Sequence, residues 1–216
     1  MISVLLPTTG RPDRAEACIR NLRDTAPDVE IVCAVDCDPE SATRLAPLVD
    51  KLLVANFYRG NAVWNDCLRE ATGELIVFAA DDLKWHDGWL EAALAAHEEH
   101  PESLIGFNDG HWGEELSTHY LMPRNFICEV LGGVVAWAHY KHSFNDAEVN
   151  DRARAADRYF WCKEARVTHE HWLFGGRERD ETDTRNLPGH AESERIYNER
   201  KAAGFPNEGI EPVITC

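Results

Sequence analysis

The sequence predicts an α/β fold with a mostly parallel sheet and helices on both faces. Strand-length apolar runs alternate with segments of helical periodicity through roughly the first hundred residues. The run "ELIVFAA" is apolar throughout rather than alternating, as in a strand covered on both sides.

Each element follows from its residues. "ISVLLPT" (2–8) is the first strand and ends in a turn through Gly10. Ala15, Ile19, Leu22 and Ala26 form a helical stripe over 13–26, with Asp13 and Glu16 at capping-box spacing. "VEIVCAVD" (29–36) is the second strand, followed by a short helix from Glu40 that Pro47 weakens. Residues 51–57 are a third strand. Trp64, Leu68 and Ala71 share one face of a helix over 61–72, which Gly73 ends. Residues 74–80 are the fourth strand, and 87–100 a helix stopped by Pro101. The second half is less regular. It reads as a strand over 103–110, a strand then a helix in "STHYLMPRNFI", a helix starting near Asn145, and a strand over 164–172. Residues 1–174 read as one domain and 175–216 as a C-terminal tail with one helix over 191–204.

Composition narrows the function. The chain has 216 residues and a net charge of −16, with 44% hydrophobic and 28% charged residues. That acidity speaks against a general binder of nucleic acid or of a membrane surface, since phosphate recognition wants a basic face. No apolar run approaches the roughly 20 residues that span a bilayer. The seven cysteines are scattered with no CxxC pair. They point to reduced thiols in a cytoplasm and away from a disulfide framework or a zinc knuckle.

Parallel sheets bind ligands beyond the carboxyl ends of their strands. Thr8, Thr9 and Arg11 fall there after the first strand, Asp36 and Asp38 after the second, and Asp81 and Asp82 after the fourth. Adjacent aspartates repel unless something positive lies between them. Asp81 and Asp82 read either as a solvated turn or as a site for Mg²⁺ or Mn²⁺, which prefer carboxylate oxygen and phosphate. His169 and His171, two apart in a strand, would face one site as ligands, or are a surface or core-edge pair. Asp146 is either a helix-terminus carboxylate or a general base, with Glu148 the fallback. Trp85, Trp89 and Trp172 fall near the rim, where an aromatic face could stack on a sugar or base. No Walker motif, GxGxxG or GxSxG elbow is present, which turns the reading away from P-loop, dinucleotide and serine-hydrolase chemistry.

These segments resemble a family. "ISVLLPTTGRPD", "IVCAVDCDP", "GNAVWNDCLREATGELIVFAADD" and "WHDGWLEAAL" are similar to glycosyltransferases of family 2 with the GT-A fold. "GFNDG" and "HEH" also resemble a group of small glycosyltransferase-like proteins of bacteriophages. The resemblance implies a nucleotide-sugar half over 1–100 and an acceptor half over 101–174. It implies that Asp36 and Asp38 contact the base and ribose of a sugar nucleotide, UDP-sugar favoured, with Thr8 and Arg11 lining the same pocket. Asp82 would hold Mn²⁺ or Mg²⁺ on the diphosphate with Asp81 beside it, and His169 or His171 would complete the metal shell. Asp146 would be the base of an inverting transfer to a hydroxyl, on a glycan or a modified DNA base. Ala80 stands where the family's DxD motif has its first aspartate, and Asn145-Asp146 where an acidic pair is usual. The alternatives are a nucleotidyltransferase and a non-catalytic sugar-nucleotide-binding module.

Overall fold

The computed structural model describes residues 1–207 and 211–215. Eight strands form one sheet: β1 (Ile2–Thr8), β2 (Glu30–Asp36), β3 (Lys51–Ala55), β4 (Leu75–Phe78), β5 (Leu83–Trp85), β6 (Leu104–Asn108), β7 (Tyr120–Pro123) and β8 (Tyr159–His169). Their order is β3-β2-β1-β4-β7-β6-β8-β5. The first four pair in parallel, as do β6 and β8. β7 runs antiparallel to both β4 and β6, and β5 to β8. Because β7 is reversed, β6 and β8 point the same way as β1. The carboxyl ends of β1, β2, β4, β6 and β8 therefore share one rim, and β7 starts there.

Helices cover both faces. The sheet side chains alternate: Val4 and Leu6 of β1 join one apolar cluster and Leu5 the other. On the first face lie α1 (Pro12–Thr25), through Ala15, Cys18, Ile19 and Leu22, and α4 (Trp89–Glu99). Trp89 packs 4.4 Å from Trp85 and 5.5 Å from Phe107, ring centre to ring centre. Both tryptophans are fully enclosed, so they are core and not a platform at the rim. On the other face lie α3 (Ala62–Glu70), α5 (Arg124–Glu129) and α6 (Asn145–Ala155). The turn between α3 and β4 must carry Gly73: a Cβ there would meet the Ser3 backbone nitrogen at 2.6 Å.

Several expectations are corrected. α1 starts at Pro12 with Arg11 as its N-cap, so Asp13 and Glu16 form no capping box; Glu16 binds Arg20 and Arg44 instead. The short helix α2 (Pro39–Leu45) is capped by Asp38. The three-residue β5 escaped the sequence reading because it carries only Leu83 and Trp85 as buried positions. β8 begins at Tyr159 and ends at His169, so His171 lies beyond the strand. The segment after Gly175 holds two α-helices, α7 (Glu181–Asn186) and α8 (His190–Ala202), where one was expected. Among the described residues five cysteines are free and Cys128 is disulfide-bonded, against the expectation of reduced thiols. No helix among the described residues is long and apolar enough to cross a membrane.

Glu30 ties three strands together. Its carboxylate accepts from Ser3 Oγ of β1, from Thr72 N at 2.8 Å, and pairs with Lys51 of β3 at 3.0 Å. Burial alone would raise its pKa; the hydrogen bonds outweigh it and hold the pKa at about 2, against an ordinary 4.5. A depressed carboxyl stabilises the fold above its unfolded pKa and loses that contribution as pH falls toward the folded value. Glu30→Gln is expected to flatten the loss of stability between pH 4.5 and about 2, measured by urea unfolding across that range.

Candidate active site

A cavity of about 260 Å³ opens at the shared rim. Trp64 and Phe78 line its floor, their rings stacked at 4.8 Å, and Trp64 Nε1 donates to Ala79 O at 3.0 Å. That bond fixes the backbone just before Asp81 and Asp82.

The two aspartates diverge. Asp81 accepts from Thr8 Oγ1 at 2.6 Å and from Arg11 Nη1 at 3.2 Å. Asp82 Oδ1 lies 3.3 Å from His169 Nε2. Its Oδ2 lies 3.8 Å from Arg11 and 3.6 Å from Arg177. Burial dominates at Asp81 and raises its pKa, over the opposing pull of Arg11. At Asp82 burial is outweighed by His169 and Arg11, and the carboxyl falls well below the usual range. His169 moves up in response, the charge of Asp82 overcoming burial. Asp82 is thus the persistent anion of the pair.

Two more imidazoles are near. His119, at the entry to β7, is enclosed and its ring centre lies 4.8 Å from His169. Burial, then the neighbouring His169, pushes its pKa well down, so it is neutral. His171 is pushed down to about 4, chiefly by burial. It caps a 3-10 turn (Trp172–Phe174), its Nδ1 accepting from Leu173 N at 3.3 Å. It shares the cavity with His169 through that turn and not through strand alternation.

Among the described residues no three His, Cys, Asp or Glu side chains converge as a ready metal cage. The donor set still suits a hard divalent ion. Asp82 offers carboxylate oxygen, His169 an imidazole nitrogen, and such ions typically take one or two carboxylates, with phosphate and water filling the rest. The Nδ1 of His169 is buried without a partner.

The chain after Gly175 completes the wall. Arg11 donates to Asp180 at 2.9 Å and to Asp183 at 2.6 Å. Arg177 binds the same Asp183, through Nη2 at 2.8 Å and through Nη1. Asp180 and Asp183 form the capping box of α7, and Thr182 Oγ1 donates to Thr9 O at 3.1 Å. Sequence reading set this segment aside as a tail.

At the far end, Asp36 accepts from Arg59 N at 2.7 Å, while its Oδ1 is buried without a partner. Burial raises its pKa. Asn61 Nδ2, also on the cavity wall, is likewise unpaired. Asp38 does not line the cavity. Its Oδ1 accepts from Ser41 N at 3.0 Å and its Oδ2 from Gly10 N at 2.8 Å, so it caps α2 and holds the β1–α1 turn.

Asp146 and Glu148, two residues apart on α6, have different jobs. Asp146 lines the cavity, and its Oδ1 accepts from Ala147 N at 3.0 Å. Burial raises its pKa, over the backbone bond from Ala147. Glu148 is fully enclosed, held by Arg200 through two bonds of 2.8 Å and by Tyr140 at 2.6 Å. It anchors α8 to the domain, which removes it as the alternative base.

His119, Arg177, Asp183 and Asn61 were not singled out from sequence. For His119 a signal existed: a polar residue directly before the buried run "YLMP", the mirror image of Asp36 directly after one. Arg177 and Asp183 carried none, because their partner Arg11 lies near the other end of the chain.

An open α/β sheet with carboxylates, imidazoles and arginines gathered at its carboxyl rim has the architecture of a GT-A nucleotide-sugar domain. The family model for glycosyl transferase family 2 matches residues 3–198, and the chain belongs to that family. No curated protein matches the sequence. The structure is similar to that of S. aureus TarS, with TM-score 0.64 and 14% identity over 97% of this chain and 46% of that one. TarS 1-349 in complex with UDP-GlcNAc matches with TM-score 0.61 and 14% identity, over 77% of this chain and 57% of that one. This chain thus spans about half the length of those TarS chains. Glucosyl-3-phosphoglycerate synthase from Mycobacterium tuberculosis, in complex with Mn²⁺, UDP and glucosyl-3-phosphoglycerate, matches with TM-score 0.64 and 14% identity. That match covers 97% of this chain and 82% of that one.

The two α6 carboxylates differ in a measurable way. Glu148→Ala strands Arg200 and Arg152 without their anion and is expected to destabilise by about 3–5 kcal/mol. Asp146→Ala, with no cation to strand, is expected to change stability by less than about 1 kcal/mol. Chemical denaturation of both variants checks the contrast.

Proposed function

We propose that this chain transfers a sugar from a nucleoside-diphosphate sugar, a UDP-sugar first, to a hydroxyl acceptor with inversion at the anomeric carbon. One observation carries the reading. At one end of the cavity the Asp82–His169 pair stands beside two arginines, Arg11 and Arg177. That mixture of signs suits a diphosphate together with a divalent cation.

At the other end, the unpartnered Asp36 Oδ1 and Asn61 Nδ2 offer one acceptor and one donor. A uracil edge presents a complementary N–H and carbonyl, and both buried atoms would then be satisfied. The UDP named in the similar structures supports the same choice of base. Thr8 and Arg11 form the adjoining wall, and Asp38 acts indirectly by holding Gly10.

Asp82 and His169 would hold Mg²⁺ or Mn²⁺, which when bound draws charge from the departing diphosphate. Arg11, on the cavity wall, and Arg177 beside Asp82 would add positive charge near that diphosphate. Asp146 takes the proton from the acceptor hydroxyl as that oxygen bonds to the anomeric carbon and the bond to the diphosphate breaks on the opposite face. Its raised pKa makes it a stronger base than an ordinary carboxylate. With Ala80 in the motif and Asp81 bound to Thr8 and Arg11, Asp82 is the carboxylate that would hold the metal.

Hydrolysis of a panel of nucleotide sugars, with and without Mn²⁺, tests the reading. Slow release of UDP from one donor, lost without metal and in Asp82→Ala, is the expected result. Absence of release from every donor, with no metal-dependent UDP binding, would leave a binding module at most.

Asp146→Asn is expected to lower kcat by about 10²–10⁴. Because burial raises the Asp146 pKa, wild-type kcat should decline as pH falls through a value above the ordinary carboxylate range. A pH–rate profile in which Asp146→Asn keeps that same acid limb would remove Asp146 from the role.

A further inference from the structure

Beside the cavity, on the side of His171, the chain exposes a cluster of aromatic rings that the donor chemistry does not use. Trp112 is 42% exposed and Phe174 41%. His111 stacks on Phe174 at 4.1 Å and 15°, and Trp112 meets the Phe174 ring edge-on at 5.5 Å and 86°. Leu173, 62% exposed, lies on the same turn just before Phe174. Aromatic surface left in water next to a cleft is a marker of a binding surface.

The cluster is held in place. Asp109, itself buried, accepts from His111 N at 2.9 Å and from Trp112 N at 3.3 Å. Its other oxygen accepts from Thr118 Oγ1 at 2.8 Å. His111 Nε2 bonds to His169 O at 2.9 Å. The loop carrying Trp112 is therefore fastened to the strand that bears His169, and its far end enters the cavity wall through Thr118 and His119. Phe174 stands three residues beyond His171, which lines the cavity. The Phe174 ring lies 6.1 Å from that of His171, centre to centre, so the cluster adjoins the cavity that Asp146 also lines.

The local charge selects among ligands. The exposed residues that follow Trp112 are Glu114 and Glu115, and the whole chain carries −16. The nearby Arg179 lies over the Trp172 ring at 5.4 Å, and the Arg154 guanidinium donates to Glu114 O. A polyanion would meet carboxylates here, whereas the apolar face of a pyranose packs on aromatic rings without needing a counter-charge.

We infer that Trp112 and Phe174 form the acceptor platform and that the acceptor is a neutral carbohydrate, seated with one hydroxyl toward Asp146. This rests on the transferase reading above for the role of the bound sugar, though the binding itself does not.

The test is binding of the full chain to a printed array of neutral glycans, with and without UDP and Mn²⁺, followed by titration calorimetry with the glycan retained. Trp112→Ala and Phe174→Ala are expected to weaken that binding at least tenfold, with Trp112→Phe losing less than threefold, since the ring and not the indole N–H makes the contact. Three results would overturn the platform. They are retention of no neutral glycan, retention that neither alanine variant weakens, and Trp112-dependent binding of a DNA duplex or of a second copy of the chain in its place. Glycan binding without any nucleotide-sugar hydrolysis would instead keep the platform and remove the transferase. Hydrolysis without glycan binding would do the reverse.

Discussion

Arg11 is the charge around which the rim is arranged. Its guanidinium is nearly buried and lies between Asp81 and Asp82 on one side and Asp180 and Asp183 on the other. Two adjacent carboxylates at the end of a buried strand are costly alone, and Arg11 is close enough to both to offset their repulsion. The same side chain reaches α7, so the first turn of the chain and one of its last helices meet through a single cation. Arg177 repeats the arrangement, reaching both Asp82 and Asp183. The cavity is thus a balanced set of charges in which His169 lowers the pKa of Asp82 and Asp82 raises that of His169.

Carboxylates of one chemical type serve four purposes in this protein, separated by what surrounds them. Glu148 is consumed by Arg200, Arg152 and Tyr140, and holds a helix. Asp38 is consumed by backbone N–H groups and holds a turn. Asp82 is ionised by its neighbours, and Asp146 is lifted by burial with no cation paired to it. Of these four, Asp82 and Asp146 keep capacity for something that arrives from outside.

Much of the first hundred residues was legible because their signals are local. Apolar runs marked β1 to β4, and the stripe Ala15, Ile19, Leu22 marked α1. The rim positions of Asp36, Asp81 and Asp82 followed from strand ends alone. The failures were nonlocal. Whether Asp38 faces a ligand or caps α2 depends on a side-chain rotation that spacing does not encode. Glu148 looked equivalent to Asp146 until Arg200, fifty-two residues later, occupied it. Trp85 and Trp89 looked like rim aromatics because β5, too short to show a period, turns them into the core. The aromatic cluster at Trp112 and Phe174 joins two loops with no shared pattern.

The arrangement of α7 on the rim has a consequence for how the molecule comes into being. In chain order Arg11 precedes every strand but β1, and Asp180 and Asp183 follow all eight, so a ribosome releases them after the sheet. Until then the cleft lacks Arg177, and Arg11 faces Asp81 and Asp82 without its remaining partners. The sheet can assemble before α7 docks, but the cleft reaches its final balance of charge only when Arg177, Asp180 and Asp183 join Arg11, so the scaffold of the site precedes its finished interior.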